Sequence, residues 1–327
     1  MLVMRATLAL WVGKVNRYRL AHPFIFWLRL AILAAAAIMF VSIRNFWTPD
    51  ILFLGLLAIF LVFGQARAFI VRFLPFVALL LVYESFRGIA DNLDDMVHYW
   101  PMIKFDQAVF GGLPTTWLQH QWWHGSLQWY DFYFYTLYTM HFVVPIVLAV
   151  VLWKLRPKLY WPFVAGLVGL SFMAFATYIL FPAAPPWMAA ENGFIAPIQH
   201  ISSDIWWTVG IHNYSEVYSN LSPNTVAAVP SLHSAYPLLF ILFLGRAFGW
   251  RRAWPAFVYP ISIWLGVVYM GEHYVFDVLL GAAYAGIAYM GSLQFFAWRI
   301  RNPSQFKNQY QQGLNWGRNI VAERQNS

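Results

Sequence analysis

Eight runs of apolar residues, each long enough to cross a bilayer, constrain this chain more than any other feature of its sequence. They lie near residues 24–43, 51–66, 71–89, 130–153, 160–181, 231–249, 254–271 and 274–298. A segment of that length in hydrocarbon is a helix, because lipid offers no partner to an open backbone N–H or C=O. The sequence therefore predicts an all-α fold, a polytopic integral membrane bundle of about eight transmembrane helices. Composition agrees: 61% of the 327 residues are hydrophobic and 10% are charged, far from a soluble domain. The absence of cysteine excludes disulfides, thiolate catalysis and zinc–thiolate sites. The first run is long enough to span and lacks a small-residue cleavage site, so it reads as an anchor rather than a signal peptide.

Charge distribution orients the bundle. With the N-terminus inside, the inner loops receive Arg67, Arg72, Lys154, Arg156, Lys158, Arg246, Arg251, Arg252, Arg299, Arg301 and Lys307. The outer side keeps only Arg44, Arg87 and Lys104 among basic residues. Lysine and arginine in short loops set topology, so both termini are expected in the cytoplasm, in the plasma (inner) membrane of the cell. The net charge of +8 is then a topology signal and a contact surface for anionic lipid, not a footprint for nucleic acid. The organisation read from this is a basic arm with two transmembrane helices over 1–70, a catalytic bundle over 71–298 and a polar cytoplasmic tail over 299–327.

Two long outer segments remain, about 90–129 and 182–230. The first is dense in aromatics, including Trp100, Trp117, Trp122, Trp123 and Trp129, as expected of helices in the interfacial belt. The second opens with Phe181-Pro182-Ala183-Ala184-Pro185-Pro186-Trp187, whose prolines favour an extended or turning path. Outer loops of this length are uncommon unless they cover a site.

The chemistry gathers at the starts of two spans. His273 and Asp277 are four residues apart, hence on one face of a helix, and an ionisable pair at membrane depth is usually paired and functional. Asp277 would accept from one ring nitrogen of His273 and leave the other basic; the alternative is a hydrogen bond that only joins two spans. His233 follows Pro230-Ser231, a helix-start signal, at the head of the sixth span. In the topology above both helices begin on the outer side, so their free amides and dipoles make an anion site suited to phosphate. Two histidines beside a phosphate can divide the labour of nucleophile and proton donor.

Val229-Pro230-Ser231-Leu232-His233-Ser234, followed after forty residues by His273-Tyr274-Val275-Phe276-Asp277, resembles the second and third motifs of the type-2 phosphatidic acid phosphatase superfamily. The Phe181–Trp187 run is similar to the branch that contains fungal inositol phosphorylceramide synthase. The resemblance covers roughly residues 80–295. It implies a metal-independent reaction without cofactor, through a phospho-histidine on His273 oriented by Asp277. His233 would be the acid for the leaving group and then the base for the acceptor, and Ser231 would hold phosphate oxygens. Two departures stand out. The Lys…Arg-Pro motif of the phosphatases has no counterpart on the outer side, since Lys154-Leu155-Arg156-Pro157 is expected inside. Their Ser-Arg pair is replaced by Gly266-Val267. Oxyanion charge still needs a donor, and Arg87, at the outer end of the third span, is the candidate; snorkelling or pairing with Glu84 or Asp91 is its other reading.

Other signals are weaker. Asp91-Asn92-Leu93-Asp94-Asp95 resembles half of a magnesium-diphosphate motif, but no second acidic cluster exists. His120 and His124 have helical spacing for a metal, yet an interfacial helix explains them more simply. His141, Tyr178 and Glu84 read as hydrogen bonds between helices, the alternative being the lining of a headgroup pocket. The sequence leaves three functions: a phosphotransferase moving a headgroup from a phospholipid donor to a lipid alcohol at the extracytoplasmic face, a lipid phosphate phosphatase using water, and a non-catalytic transporter or scaffold.

Overall fold

A computed structural model describes residues 19–28, 30, 31, 34, 49–90, 97–208 and 225–303. Most of the expected first span, the basic arm, the Asp91–Asp95 cluster and the tail lie outside the described residues. The chain forms two compact units, residues 1–87 and 88–327.

In the first unit, α1 (Pro49–Val62) and α2 (Ala66–Ala90) are joined by a tight turn. Gln65 N donates to Phe60 O at 2.7 Å and so closes the end of α1. Phe69 stacks on Phe60 at 4.8 Å and on Phe73, one helical turn further, at 4.6 Å, making an aromatic ladder between the two helices.

Among its described residues the second unit has the helices α3 (Trp100–Phe110), α4 (Pro114–Trp122), α5 (Trp129–Leu155), α6 (Pro157–Leu180), α7 (Pro186–Glu191), α8 (Ile201–Thr208), α9 (Leu232–Phe248), α10 (Trp250–Ala253), α11 (Val258–Tyr269) and α12 (Val275–Arg301). The all-α membrane fold is what the hydropathy pattern required. Among the described residues, Ala66–Tyr83, α6 and α12 are long and apolar enough to cross a membrane. The two halves of α5, bent by 53° near residue 142, make a fourth span if counted together. Pro145 removes a backbone donor one turn after the bend, which accounts for it. The stretch expected as the seventh span is broken, with a 3₁₀ turn at Trp254–Phe257 ahead of the 12-residue α11.

Polar contacts tie the long helices together. Ser171 and Tyr236 join α6 to α9 at 2.5 Å, and Thr177 and Tyr284 join α6 to α12 at 2.8 Å. The closest approach is between α9 and α12 at Gly281. A Cβ there would lie 2.2 Å from Ser234 Oγ and 2.3 Å from the Ser231 carbonyl, so only glycine fits. Because of that approach the N-termini of α9 and α12 lie side by side.

The short helices form a collar around those two N-termini. Gln119 of α4 donates to Tyr269 O and Gln199 O, and Trp187 N of α7 donates to Gly271 O. The proline-rich run is extended through Pro185, as its residues favour, and its last two residues, Pro186 and Trp187, open α7 with proline in the first helical position. Ala183 forms isolated parallel bridges with His98 and Ala227, the latter in the stretch that leads into α9.

Candidate active site

Each helix start is built locally. Ser231 caps α9 in an extended conformation, and its Oγ accepts from Ser234 N at 3.3 Å. Ser234 Oγ then donates to Val278 O at 3.0 Å, and Ser231 N to Asp277 O at 3.1 Å. The two helices are thus stitched through their first turns. Tyr178 OH donates to Pro230 O at 2.9 Å and steadies the approach to α9.

The structure brings His233, His273, Asp277 and Ser231 together. His233 Nδ1 is 3.4 Å from His273 Nε2, and His273 Nδ1 is 3.4 Å from Asp277 Oδ2. Asp277 is wholly buried and His273 is buried, whereas His233 is half-buried. With Asp277 ionised, the contacts select one set of tautomers. A carboxylate only accepts, so Nδ1 of His273 carries the proton and Nε2 presents a lone pair. His233 Nδ1–H then donates to that lone pair. Both contacts are long for hydrogen bonds, as catalytic contacts often are before substrate draws them in.

Aromatic rings hold His233 in place. Tyr138 stacks on it at 4.0 Å and His141 lies 4.4 Å from it, both from α5. His141, read from the sequence as a link between helices, is therefore a neighbour of the histidine pair.

The amides of α12 differ from expectation. They were expected to be free for phosphate, but Tyr274 N donates to Asp277 Oδ2 at 2.9 Å. Val275 N and Phe276 N donate to the two oxygens of Asp106, each at 3.0 Å. The first turn of α12 is thus already satisfied by carboxylates.

Glu272, beside the nucleophile candidate, is buried and accepts from Ser202 Oγ and from His200 Nε2, the latter at 3.2 Å. Burial pushes its carboxyl up, but the bonds from His200 and Ser202 and the nearby His273 bring it below the ordinary range. Trp187 stacks face to face on His200 at 4.7 Å and completes this wall.

The two departures from the phosphatase motifs have structural counterparts. A Cβ at Gly266 would lie 2.7 Å from the Phe134 ring, and Val267 is wholly buried, so core packing fills the place of the Ser-Arg pair. Arg156 Nε donates to Ala247 O at 2.8 Å, at the far end of α9 from His233. The side chain of Arg87 lies outside the described residues. His124 falls beyond the end of α4, so the helical spacing from His120 is lost, and both are exposed.

Residues 101–291, more than half the chain, match the family model described as the PAP2 superfamily. The chain belongs to the PAP2 superfamily. Within it, the chain is similar to the phosphoinositol dihydroceramide synthase of Bacteroides thetaiotaomicron, with 30% identity over 50% of this chain and 55% of the relative. It is also similar to the inositol phosphorylceramide synthase catalytic subunit of Schizosaccharomyces pombe, with 26% identity over 50% of this chain and 39% of the relative. The matches thus span about half the length of these curated relatives, or less. No solved structure matches. His233, His273 and Asp277 fall inside the stretch matched by the PAP2 model, and Arg87 falls outside it.

Four participants escaped the sequence reading. Asp106, Gln119 and the Glu272 partners His200 and Ser202 lie 70 or more residues from the groups they hold, and no local spacing marks them. Only the length of the outer segments hinted that something there covers a site.

Proposed function

We propose that this protein transfers a phosphorylated headgroup from a phospholipid to the hydroxyl of a second lipid. His273 Nε2 attacks phosphorus, the bond to the diacylglycerol oxygen breaks, and His233 gives that oxygen its proton. The headgroup phosphate is then held as a phospho-histidine. His233, now a base, takes the proton of the acceptor hydroxyl, whose oxygen attacks phosphorus and releases His273. Asp277 holds the His273 tautomer and stabilises the charge that develops on its ring, as in other carboxylate–imidazole couples. Ser231 and the first amides of α9 receive phosphate oxygens, and Arg87 is the proposed cation.

The observation that carries this reading is the approach of His233 Nδ1 to His273 Nε2 at 3.4 Å with Asp277 behind. A phosphoryl group can replace that contact with both rings still in reach. The two similar proteins are named for phosphoinositol transfer to ceramides, which supports a phosphoinositol donor and a lipid alcohol acceptor over water.

The charges at the other end support a face of action. α9 ends with Arg246 and α12 with Arg299 and Arg301, away from the histidines, while Lys154 closes α5. Basic residues mark the cytoplasmic side, which supports a site facing outward in the inner membrane with the C-terminus inside.

The test is purified protein with headgroup-labelled phosphatidylinositol, with and without a lipid alcohol. New labelled phospholipid that appears only with the alcohol supports transfer. Release of water-soluble inositol phosphate at the same rate in both samples means hydrolysis. No product in either means that the fold serves a non-catalytic role.

A further inference from the structure

Asp106 sits on α3, an interfacial helix about 170 residues before the nucleophile candidate, yet it is wholly buried. Its two oxygens take the amides of Val275 and Phe276, the first two residues of α12, at 3.0 Å each. A helix normally draws such a cap from its own N-cap side chain, a serine, threonine, aspartate or asparagine. The residue in that place is Tyr274, whose ring packs with Met102 and Ile103 of α3 and offers no short acceptor. Asp277, three residues on, takes only the N-cap amide, so the caps of the next two amides come from another helix.

That arrangement has a mechanical consequence. His273 and Asp277 flank the same two amides in sequence, so whatever fixes Val275 and Phe276 fixes the direction of the His273 ring. From the α9 side the turn is held by Ser231 N to Asp277 O and by Ser234 Oγ to Val278 O. From the outer side, Asp106 and the edge contact of Phe105 with Phe276 at 5.1 Å hold it. Burying a carboxylate costs free energy that a neutral cap would avoid. Its gain is a bidentate grip on two donors, with the geometric precision that charged hydrogen bonds bring.

We propose that Asp106 is a positioning residue for the transfer, gripping the first turn of α12 so that His273 Nε2 faces phosphorus. This rests on the reading of His273 as nucleophile. Asp106 touches neither substrate nor the reacting atoms. It also occupies two amides that would otherwise draw a phosphate oxygen. Nothing at the aspartate's own position in the sequence signals the role.

The experiment uses the full chain in lipid nanodiscs, comparing wild type with Asp106→Asn and Asp106→Glu. Headgroup-labelled phosphatidylinositol is the probe, and phospho-histidine formation is followed by rapid quench alongside kcat, KM and thermal unfolding. Asparagine keeps one oxygen and turns an N–H donor toward the other amide. The expected result is a fall of about 10- to 100-fold in kcat and in phospho-histidine formation, with KM within about twofold, because small misplacements of a nucleophile cost that much. Glutamate keeps both acceptors and recovers part of the loss, and it remains informative if the asparagine variant folds poorly. Phospho-histidine formation at the wild-type rate in Asp106→Asn overturns the inference. So does a loss of activity in both variants that only tracks the folded fraction. Wild-type turnover without any phospho-histidine overturns instead the reading of His273, and the two failures are distinct.

Discussion

His233 Nδ1 lies 3.4 Å from His273 Nε2, although the two are 40 positions apart. His233 is in the first turn of α9, while His273 lies two residues ahead of α12 rather than on its face as its spacing from Asp277 suggested. The contact exists because Gly281 lets α12 press against Ser231 and Ser234 at the start of α9. Helix starts stitched by Ser231 N to Asp277 O cannot drift apart without breaking backbone bonds. Burial makes such breaks costly, since no water replaces the lost partner. His233 is therefore held by the bundle itself, and His273, in the short connection ahead of α12, is held through the stitched helix starts.

The division of labour predicts different losses for the two histidines. His233→Ala is expected to lose about 10²- to 10⁴-fold in turnover of a phospholipid, whose leaving oxygen needs a proton. With a nitrophenyl phosphodiester the loss shrinks, because that leaving group departs unprotonated. Steady-state rates on both substrates make the check. Equal losses on the two substrates count against His233 as the acid.

Gly281→Ala separates packing from propensity. In an open helix alanine is favoured over glycine by about 1 kcal/mol. Here the added carbon would meet Ser234 Oγ at 2.2 Å and the Ser231 carbonyl at 2.3 Å. The expected outcome is destabilisation by about 1–3 kcal/mol, read as a lower unfolding midpoint, together with lost activity. Removing the Ser234 hydroxyl brings no rescue, because the carbonyl remains.

Gln119→Leu should loosen the collar. Its amide makes three 2.8 Å bonds, to Tyr269 O, to Gln199 O and from Gln199 N. Orphaning the buried Tyr269 carbonyl costs about 1–3 kcal/mol. Limited proteolysis within residues 192–199 should speed up, and an unchanged cleavage rate contradicts the tie.

These losses differ in how far the sequence foretold them. Hydropathy made the all-α bundle legible, because lipid leaves the backbone no other choice. Pro230-Ser231 marked the start of α9, since capping is local, and the prolines of 182–185 foretold an extended path. His273 and Asp277 were legible as a pair through their spacing. Asp106 was not, because its partners are Val275 and Phe276 and no short-range pattern encodes a cap given by another helix. For the same reason the amides of α12 looked free for phosphate. The spacing of His120 and His124 misled in the other direction, as α4 ends at Trp122 before the second histidine.

Asp106 also predicts a pH effect with a definite sign. Burial pushes its carboxyl up from the ordinary 3.8 to about 6; the amides of Val275 and Phe276 pull it down, and the nearby Asp277 adds to the rise. A carboxyl raised by folding stabilises the fold in full below 3.8, and that contribution is lost as pH rises through about 6. The unfolding midpoint of wild type relative to Asp106→Asn should therefore increase as pH falls from about 7 to 4. A flat or opposite difference contradicts this assignment.

The central claim is that His273 carries the phosphoryl group between donor and acceptor. Its most direct measurement is rapid quench of the purified protein with phospholipid labelled in the headgroup phosphate, followed by mapping of the labelled peptide. The account predicts an acid-labile, alkali-stable label on His273 that forms and decays within one turnover and is absent from His273→Ala. Turnover with no label on the protein, or a label that survives His273→Ala, would contradict it.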